Sequence, residues 1–279
     1  MKQFDLISDV HLDFWAKKNG GSKEANNMIV HNFAASLLPD EISEVLVVAG
    51  DLGHDNNQNF EFLKYVKQHY KYIIVVCGNH DFYLTTSSDK YKYERNSLKR
   101  WKQMKELGMS LEGVHYLNGE MITIDGVTFG GTGMWYDFSY GIKRLGKSVT
   151  DMFDAWADGM NDQKYIHGVP RRPLDWFWSE KDNLEKVIYD SDVIVTHVGP
   201  DTSRVPLEYE LDALTGCYYF DGEEYLKNCQ GKIWCYGHSH YNQSYMKKGC
   251  WLVNNALGYP NEKNTGTSKI VNIPLESHY

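Results

Sequence analysis

Apolar runs of three to five residues alternate with longer amphipathic segments along most of the chain. The runs are rich in Val, Ile and Leu and predict buried strands at 4–7, 45–49, 73–77, 193–196, 232–236, 251–253 and 269–273. Amphipathic periodicity predicts helices at 25–38, 59–70 and 94–107. Strands that alternate with helices are typical of a largely parallel central sheet covered on both faces, so the pattern predicts an α/β fold.

Two segments depart from this alternation. Residues 120–130 predict a β-hairpin that turns at Asp125-Gly126, a pair suited to a two-residue turn. Between residues 135 and 178 the chain becomes rich in aromatic and charged residues, with too much aromatic content for a disordered segment. We interpret residues 135–178 as a partly helical insertion that lies near the mouth of a site, within a single domain of residues 1–279.

Composition narrows the class of protein. The 279 residues are 42% hydrophobic, enough to fill a sizeable core. The formal net charge of −8 argues against general binding of nucleic acid through a basic surface. The five cysteines lack paired spacing, which predicts a reduced, cytoplasmic setting without a disulfide framework. No apolar stretch approaches the roughly 20 residues of a membrane span, and we expect no secretory leader and no membrane partner.

Polar side chains follow several of the apolar runs directly. Asp9 and His11 follow the first run and Asp51 follows the second. The complete set is Asp9, His11, Asp51, Asn79, His80, Asp81, His197, His238 and His240. Each residue alone could be an ordinary cap or turn former. Independent caps would not recur at so many predicted strand ends, so the set predicts one shared site.

These residue types suit a pair of divalent cations. Two such ions about 3.5–4 Å apart need a bridging carboxylate and further oxygen and nitrogen ligands. Asp51, with a glycine before it that permits close backbone approach, is the candidate bridge. Asp9 and His11 are two residues apart in backbone that we expect to be nearly extended, and His238 and His240 repeat this spacing. Imidazole, carboxylate and amide ligands without thiolate suit Mn, Fe, Zn, Co or Ni.

The polar blocks also stand in a familiar order. They are Asp9-x-His11, Gly50-Asp51, Gly78-Asn79-His80-Asp81, His197 and Gly237-His238-x-His240. In this order the chain resembles the calcineurin-like metallophosphoesterase superfamily, over residues 9 to 240. Residues 131–138 and 159–162 resemble a bacterial and phage branch of predicted phosphohydrolases. The resemblance implies a four-layer α/β/β/α sandwich and a metal-dependent phosphoesterase that uses a metal-bridging hydroxide.

The resemblance also implies roles for individual residues. The first metal would take Asp9, His11, Asp51 and His240, and the second would take Asp51, Asn79, His197 and His238. His80 would stabilise the transition state or protonate the leaving oxygen. Asp81 would orient His80 and raise its pKa, as a general acid at neutral pH requires.

Two features bear on the substrate. No arginine follows Asp51, unlike the protein serine/threonine phosphatases of the superfamily, whereas His54 stands where nucleases and some phosphodiesterases place a histidine over the phosphate. The resemblance therefore favours a phosphodiester, such as a nucleotide or a nucleic-acid end, with Asn79 and His54 contacting it. Arg171 and Arg172 are further candidates to guide the anion, although charged residues in such a segment are commonly only solvated.

Several alternatives stay open. The protein could be a phosphomonoesterase, or a metal-binding scaffold that recognises a partner without turnover. His54 could be an ordinary histidine of a surface loop. The sequence does not distinguish the native metals or the oligomeric state.

Overall fold

A computed structural model describes residues 1–169, 172–262 and 269–275. Within these residues the strands form two sheets. The strands are β1 (Gln3–Ile7), β2 (Val45–Ala49), β3 (Tyr72–Val76), β4 (Val114–Tyr116), β5 (Glu120–Ile124), β6 (Val127–Gly131), β7 (Val193–Val195), β8 (Ile233–Tyr236), β9 (Gln243–Lys247), β10 (Cys250–Asn254) and β11 (Val271–Pro274).

Helices connect most of the parallel strands. They are α1 (Leu12–Trp15), α2 (Lys23–Leu37), α3 (Asn56–Val66), α4 (Ser87–Lys92), α5 (Ser97–Met109), α6 (Val149–Gly159), α7 (Asp162–Tyr165), α8 (Pro173–Glu185) and α9 (Glu223–Leu226). A 3₁₀ turn covers Asn79–Phe82, and a π-helical turn covers Tyr140–Arg144. No helix in the described part of the chain combines the length and the apolarity needed to cross a bilayer.

The strand order places the ends of β1, β2 and β3 side by side in one sheet and those of β7 and β8 side by side in the other. The first sheet has the order β11-β1-β2-β3-β4 and is parallel except for β11. The second has the order β5-β6-β7-β8-β10-β9, with a parallel centre and antiparallel edges. In the first sheet Ile7 pairs with Val48 and Ala49 pairs with Val76, so β1, β2 and β3 end at the same level.

Three apolar clusters separate four layers. Between the sheets, Phe4 of β1 meets Phe129 of β6 with ring centroids 5.5 Å apart, edge to face. The outer face of the first sheet packs on α2, α3 and α5, and the outer face of the second packs on α8 and neighbouring segments. The four-layer α/β/β/α sandwich is therefore confirmed. The single central sheet expected from the strand pattern is wrong, because a strand buried on both faces looks the same whether a helix or another sheet covers it.

Most predicted elements are present with shifted ends. The helix expected at 59–70 runs from Asn56 to Val66, because Asp55 caps it by accepting from the backbone N–H of Asn57 and Gln58. The hairpin turns at Asp125-Gly126 as expected, with φ of 48° and 80°. The short strands β4 and β9 were not predicted. All five cysteines are free and buried.

The aromatic segment 135–178 contributes to the core. Trp135, Tyr136 and Phe138 are buried, and Trp176 of α8 packs on Trp135 with ring centroids 4.7 Å apart. Helices α6, α7 and the start of α8 lie within this segment. Apolar burial of these rings stabilises the described part of the segment despite its irregular pattern.

Candidate metal centre

The predicted site residues come together at the carboxyl ends of five strands. Strands β1, β2 and β3 of the first sheet are followed by Asp9, Asp51 and Asn79, and strands β7 and β8 of the second are followed by His197 and His238. All five side chains are buried. The site therefore lies along the seam between the two sheets.

Three groups of side chains are spaced to hold a cation, and one of them, His11, Asp51 and His80, shares a member with each of the other two. In the first of those two, Nε2 of His240 lies 3.2 Å from Oδ1 of Asp9 and 3.0 Å from Nε2 of His11. The second contains Asp51, His197 and His238, and the ligand atoms within each group lie within 4.8 Å of one another. Oδ2 of Asp51 lies 3.3 Å from Nε2 of His197 and 3.8 Å from Nε2 of His11. Asp51 thus stands between the groups.

The backbone at these residues is unusual. Asp9, His11, Asp51, His238 and His240 all have φ between 44° and 67°. This left-handed conformation costs non-glycine residues about 1–3 kcal/mol each and is concentrated at functional sites. The expectation that Asp9 and His11 share nearly extended backbone is wrong, because each turns its chain sharply just beyond the strand.

Glycines let the backbone approach these side chains. A Cβ on Gly50, where φ is +89°, would lie 2.4 Å from Nδ1 of His197. A Cβ on Gly78 would lie 2.1 Å from Oδ1 of Asp51. Both distances are far shorter than van der Waals contact, so a side chain at either position would displace a site residue.

Each histidine from the second sheet has one ring nitrogen bonded to an acceptor that fixes its tautomer. Because the bonded ring nitrogen must donate to this acceptor, it carries the proton of the neutral ring, and the other ring nitrogen presents its lone pair to the site. The acceptors are the carbonyl of Ala49 for Nδ1 of His197 (2.8 Å), the carbonyl of Cys217 for Nε2 of His238 (3.0 Å) and the carboxylate of Glu262 for Nδ1 of His240 (2.9 Å).

This donor set fits divalent cations. Nitrogen lone pairs and two carboxylates converge from both sheets, and Nε2 of His11 faces Nε2 of His240 at 3.0 Å. Asn79 adds its Oδ1, which lies 3.2 Å from Nε2 of His197. Carboxylate, imidazole and amide atoms held this closely in a buried site are the ligands that divalent metals prefer in proteins.

Two histidines of this set are made more basic by the carboxylates that face them. Burial lowers the pKa of His197, but the carboxylates of Asp51 and Asp9 outweigh it and raise the pKa to about 9. The same balance, with Asp9 and Glu262 as the anions, raises the pKa of His240 to about 10. Metals must therefore displace protons from these two rings.

His80 lies beside the two groups and is held by a chain of hydrogen bonds. Its Nδ1 is 2.8 Å from Nε2 of His54, and Nδ1 of His54 is 2.8 Å from Oδ2 of Asp13. The carboxylate accepts from His54, so His54 in turn accepts from Nδ1 of His80. Nε2 of His80 is then left for the site, 3.3 Å from the hydroxyl oxygen of Tyr259.

Asp81 does not have the role expected of it. Its Oδ2 accepts from the backbone N–H groups of Gly78 (2.7 Å) and Asp51 (3.2 Å), whereas His54 is the partner of His80. Burial and the nearby charge of Asp51 raise the pKa of Asp81 to about 6. Burial lowers the pKa of His80 well below its ordinary value, contrary to the expected rise. Asp81 instead holds the two ligand loops together.

The residues predicted to contact the substrate lie in different surroundings. Both ring nitrogens of His54 already bond to protein groups, so a contact with phosphate would require one of these bonds to break. Arg172 is exposed before α8, and no contact with the site residues is observed within the described chain. Arg171 lies outside the described residues.

Four residues near the site were not predicted. Asp13 supports His54, and Glu262 supports His240. Tyr259 stacks on His11 with ring centroids 4.5 Å apart, and Asp162 accepts from the amide of Asn79 at 2.7 Å. Asp162 belongs to the segment 159–162 that the sequence had set apart, and Asp13 lies four residues after Asp9. Nothing in the sequence marks Tyr259 or Glu262.

Comparison with known proteins identifies the class. The family model described as calcineurin-like phosphoesterase matches residues 2–242, so the chain belongs to this family. The family and the Asp and His groups together support a metal-dependent phosphoesterase that acts on a phosphate ester.

Individual proteins are similar to this chain over most of its length. The chain is 25% identical to the uncharacterised protein L509 of Acanthamoeba polyphaga mimivirus over 280 aligned positions, which cover 95% of this chain and 94% of the relative. The fold of this chain is similar to that of the phosphopantetheinyl hydrolase PptH of Mycobacterium tuberculosis, with a TM-score of 0.70 and 18% identity. The match covers 96% of this chain and 95% of PptH.

Proposed function

We propose that the protein hydrolyses a phosphodiester at a centre of two divalent cations. The observation that carries this proposal is the position of Asp51 between two groups of ligands, with His80 beside both. Asp9, His11, Asp51 and His240 would hold one cation. Asp51, Asn79, His197 and His238 would hold the other.

The side chains have separate tasks in this reaction. When bound, the cations would lower the pKa of water and offset negative charge on the phosphoryl oxygens. Asp13 and His54 keep the Nδ1 proton of His80 engaged, so Nε2 alone can reach the substrate. His80 at Nε2 would hydrogen-bond a phosphoryl oxygen or give a proton to the leaving oxygen. The anionic phosphate, rather than Asp81, would supply the charge that favours the protonated ring.

The surroundings of the site favour a diester over a monoester. A monoester dianion is commonly held by arginine forks. The guanidinium of the buried Arg100 is already engaged by the protein, since it donates to the backbone carbonyls of His80 (2.8 Å) and Gly53 (2.5 Å). An alkoxide leaving group also benefits from a donor such as His80.

The substrate class can be narrowed by assay. A net charge of −8 favours a small phosphodiester or a nucleic-acid end over a long polyanion. Cyclic and linear nucleotides are the first compounds to test. A phosphopantetheinyl ester deserves a place in the same panel, since the similar fold of PptH belongs to a protein described as a phosphopantetheinyl hydrolase.

The first experiment compares bis-p-nitrophenyl phosphate with p-nitrophenyl phosphate in the presence of Mn²⁺. We expect faster turnover of the diester, and we expect His80→Ala to lower kcat about 10²- to 10⁴-fold while metal content stays unchanged. His69→Ala, at an exposed position, is the matched control and should be neutral. Preference for the monoester would replace our proposal with a phosphatase, and metal binding without any turnover would favour a scaffold.

The same assay tests the chain of hydrogen bonds behind His80. Because His54 is expected to act through His80, His54→Ala should slow the wild-type enzyme but cost little more in the His80→Ala background. Additive losses would instead place His54 on the substrate.

A further inference from the structure

A buried carboxylate from outside the strand ends reaches the site. Asp162, the first residue of α7, is 2% exposed. It accepts hydrogen bonds from Nδ2 of Asn79 (2.7 Å), the hydroxyl of Tyr83 (2.5 Å) and the hydroxyl of Tyr136 (2.6 Å). These contacts link the segment 135–178 to one of the proposed metal ligands.

The direction of these hydrogen bonds follows from the groups involved. The indole Nε1 of Trp156 can only donate, and it lies 2.6 Å from the hydroxyl oxygen of Tyr136. Tyr136 therefore uses its own proton toward Oδ2 of Asp162, while Oδ1 accepts from Tyr83 and Asn79. Both carboxylate oxygens of Asp162 act as acceptors.

An acceptor at this place decides which way the Asn79 amide faces. The amide nitrogen must point to Asp162, so Oδ1 points to the other side, where it lies 3.2 Å from Nε2 of His197. Rotated by half a turn, the amide would present its NH₂ group, which has no lone pair for a cation. A short, uncharged ligand such as Asn79 depends on a partner to prevent this rotation.

We propose that Asp162 is a positioning residue for the metal centre. It holds the Asn79 amide so that its oxygen faces the cation site formed with Asp51, His197 and His238. The segment 135–178 thereby becomes part of that cation site as well as part of the core. This inference rests on the proposed function, because it takes Asn79 to be a metal ligand.

The test measures metal binding directly. Purified wild-type protein, Asp162→Asn and the control Asp158→Asn, at an exposed position of α6, are stripped of metal and titrated with Mn²⁺, with bound metal measured by mass spectrometry. Because both oxygens of Asp162 accept, the NH₂ group of an asparagine at this position would face a donor in either orientation. We therefore expect Asp162→Asn to bind one ion as the wild type does and the other about 10- to 100-fold more weakly. Asp158→Asn should match the wild type.

A reciprocal variant separates positioning from stability. In Asn79→Asp combined with Asp162→Asn, the donor and the acceptor exchange places and residue 79 has two equivalent oxygens, so tight binding of the second ion should return. Unchanged binding of both ions in Asp162→Asn would overturn the proposal. If Asp162→Asn loses both ions and also loses the native near-ultraviolet dichroism, and the double variant recovers neither, Asp162 has a role in stability alone.

Failure of the proposed function has a different result. A wild-type protein that binds fewer than two ions at saturation contradicts the two-cation centre itself. A wild-type protein that binds two, beside an Asp162→Asn variant that also binds two equally well, contradicts only the role of Asp162.

Discussion

The two sheets contribute different chemistry to one site. The first sheet supplies the carboxylates of Asp9 and Asp51 with the amide of Asn79, which we call the carboxylate half. The second supplies the imidazole half, formed by His197, His238 and His240. His11 follows the same strand as Asp9, so it lies on the side of the first sheet although its side chain is an imidazole. In the proposed assignment each cation takes ligands from both halves.

Each half is oriented by the other. The backbone N–H of His238 donates to both oxygens of Asp9 at 3.0 Å, and Nδ1 of His197 donates to the carbonyl of Ala49 at the end of β2. The glycines at these strand ends leave room for such contacts. A seam between two sheets can therefore combine acidic and neutral side chains, with their orientation set by groups across the seam.

The largest effect should come from the residue that both groups share. Asp51→Asn replaces one carboxylate oxygen with an NH₂ group that cannot ligate, so we expect weaker binding of both ions and turnover at background. Asp9 belongs to only one of the proposed cation sites, so Asp9→Asn should weaken the binding of mainly one ion. Metal analysis and diester turnover measure both variants, and full binding of two ions by Asp51→Asn would break the idea of a shared ligand.

A smaller effect is expected from the support of the imidazole half. Glu262→Ala removes the acceptor for Nδ1 of His240, and we expect the ion at Asp9, His11 and His240 to bind about 10- to 100-fold more weakly while the other is unaffected. Glu262→Gln keeps an acceptor oxygen and should recover most of the affinity. Equal loss of both ions in a metal titration would contradict the independence of the two groups.

The smallest effect concerns pH and stability without metal. The carboxylates of Asp51 and Asp9 raise the pKa of His197 to about 9, and Asp9 and Glu262 raise that of His240 to about 10. A histidine in the unfolded chain has a pKa of about 6.5, so the folded protein binds more protons between these values. The resulting stabilisation is complete below the unfolded pKa and is lost as pH rises through 9 to 10.

We therefore expect the free energy of unfolding of the protein, stripped of metal by a chelator, to fall from pH 7 to pH 10. Urea unfolding with and without Mn²⁺ measures it. The metal-loaded protein should change less, because cations rather than protons occupy the ring nitrogens. Parallel pH profiles in the two conditions would contradict this linkage.

Local patterns predicted the central strands and their ends well, because strand formation is a local property. The apolar runs marked β1, β2 and β3 within a residue or two, and the polar residues after them do converge. Partners from distant segments could not be predicted. Asn79 and Asp162 are 83 positions apart, and no periodicity relates them.

The α/β class, the positions of the central strands and the types of polar residue at their ends follow from local sequence patterns. Tertiary structure decided the division into two sheets, the support of His80 by His54 instead of Asp81, and the contact of Asp162 with Asn79. The two kinds of feature depend on interactions of different range along the chain. Strand formation depends on neighbouring residues, whereas a hydrogen bond across the seam depends on how two sheets and their connecting segments pack together.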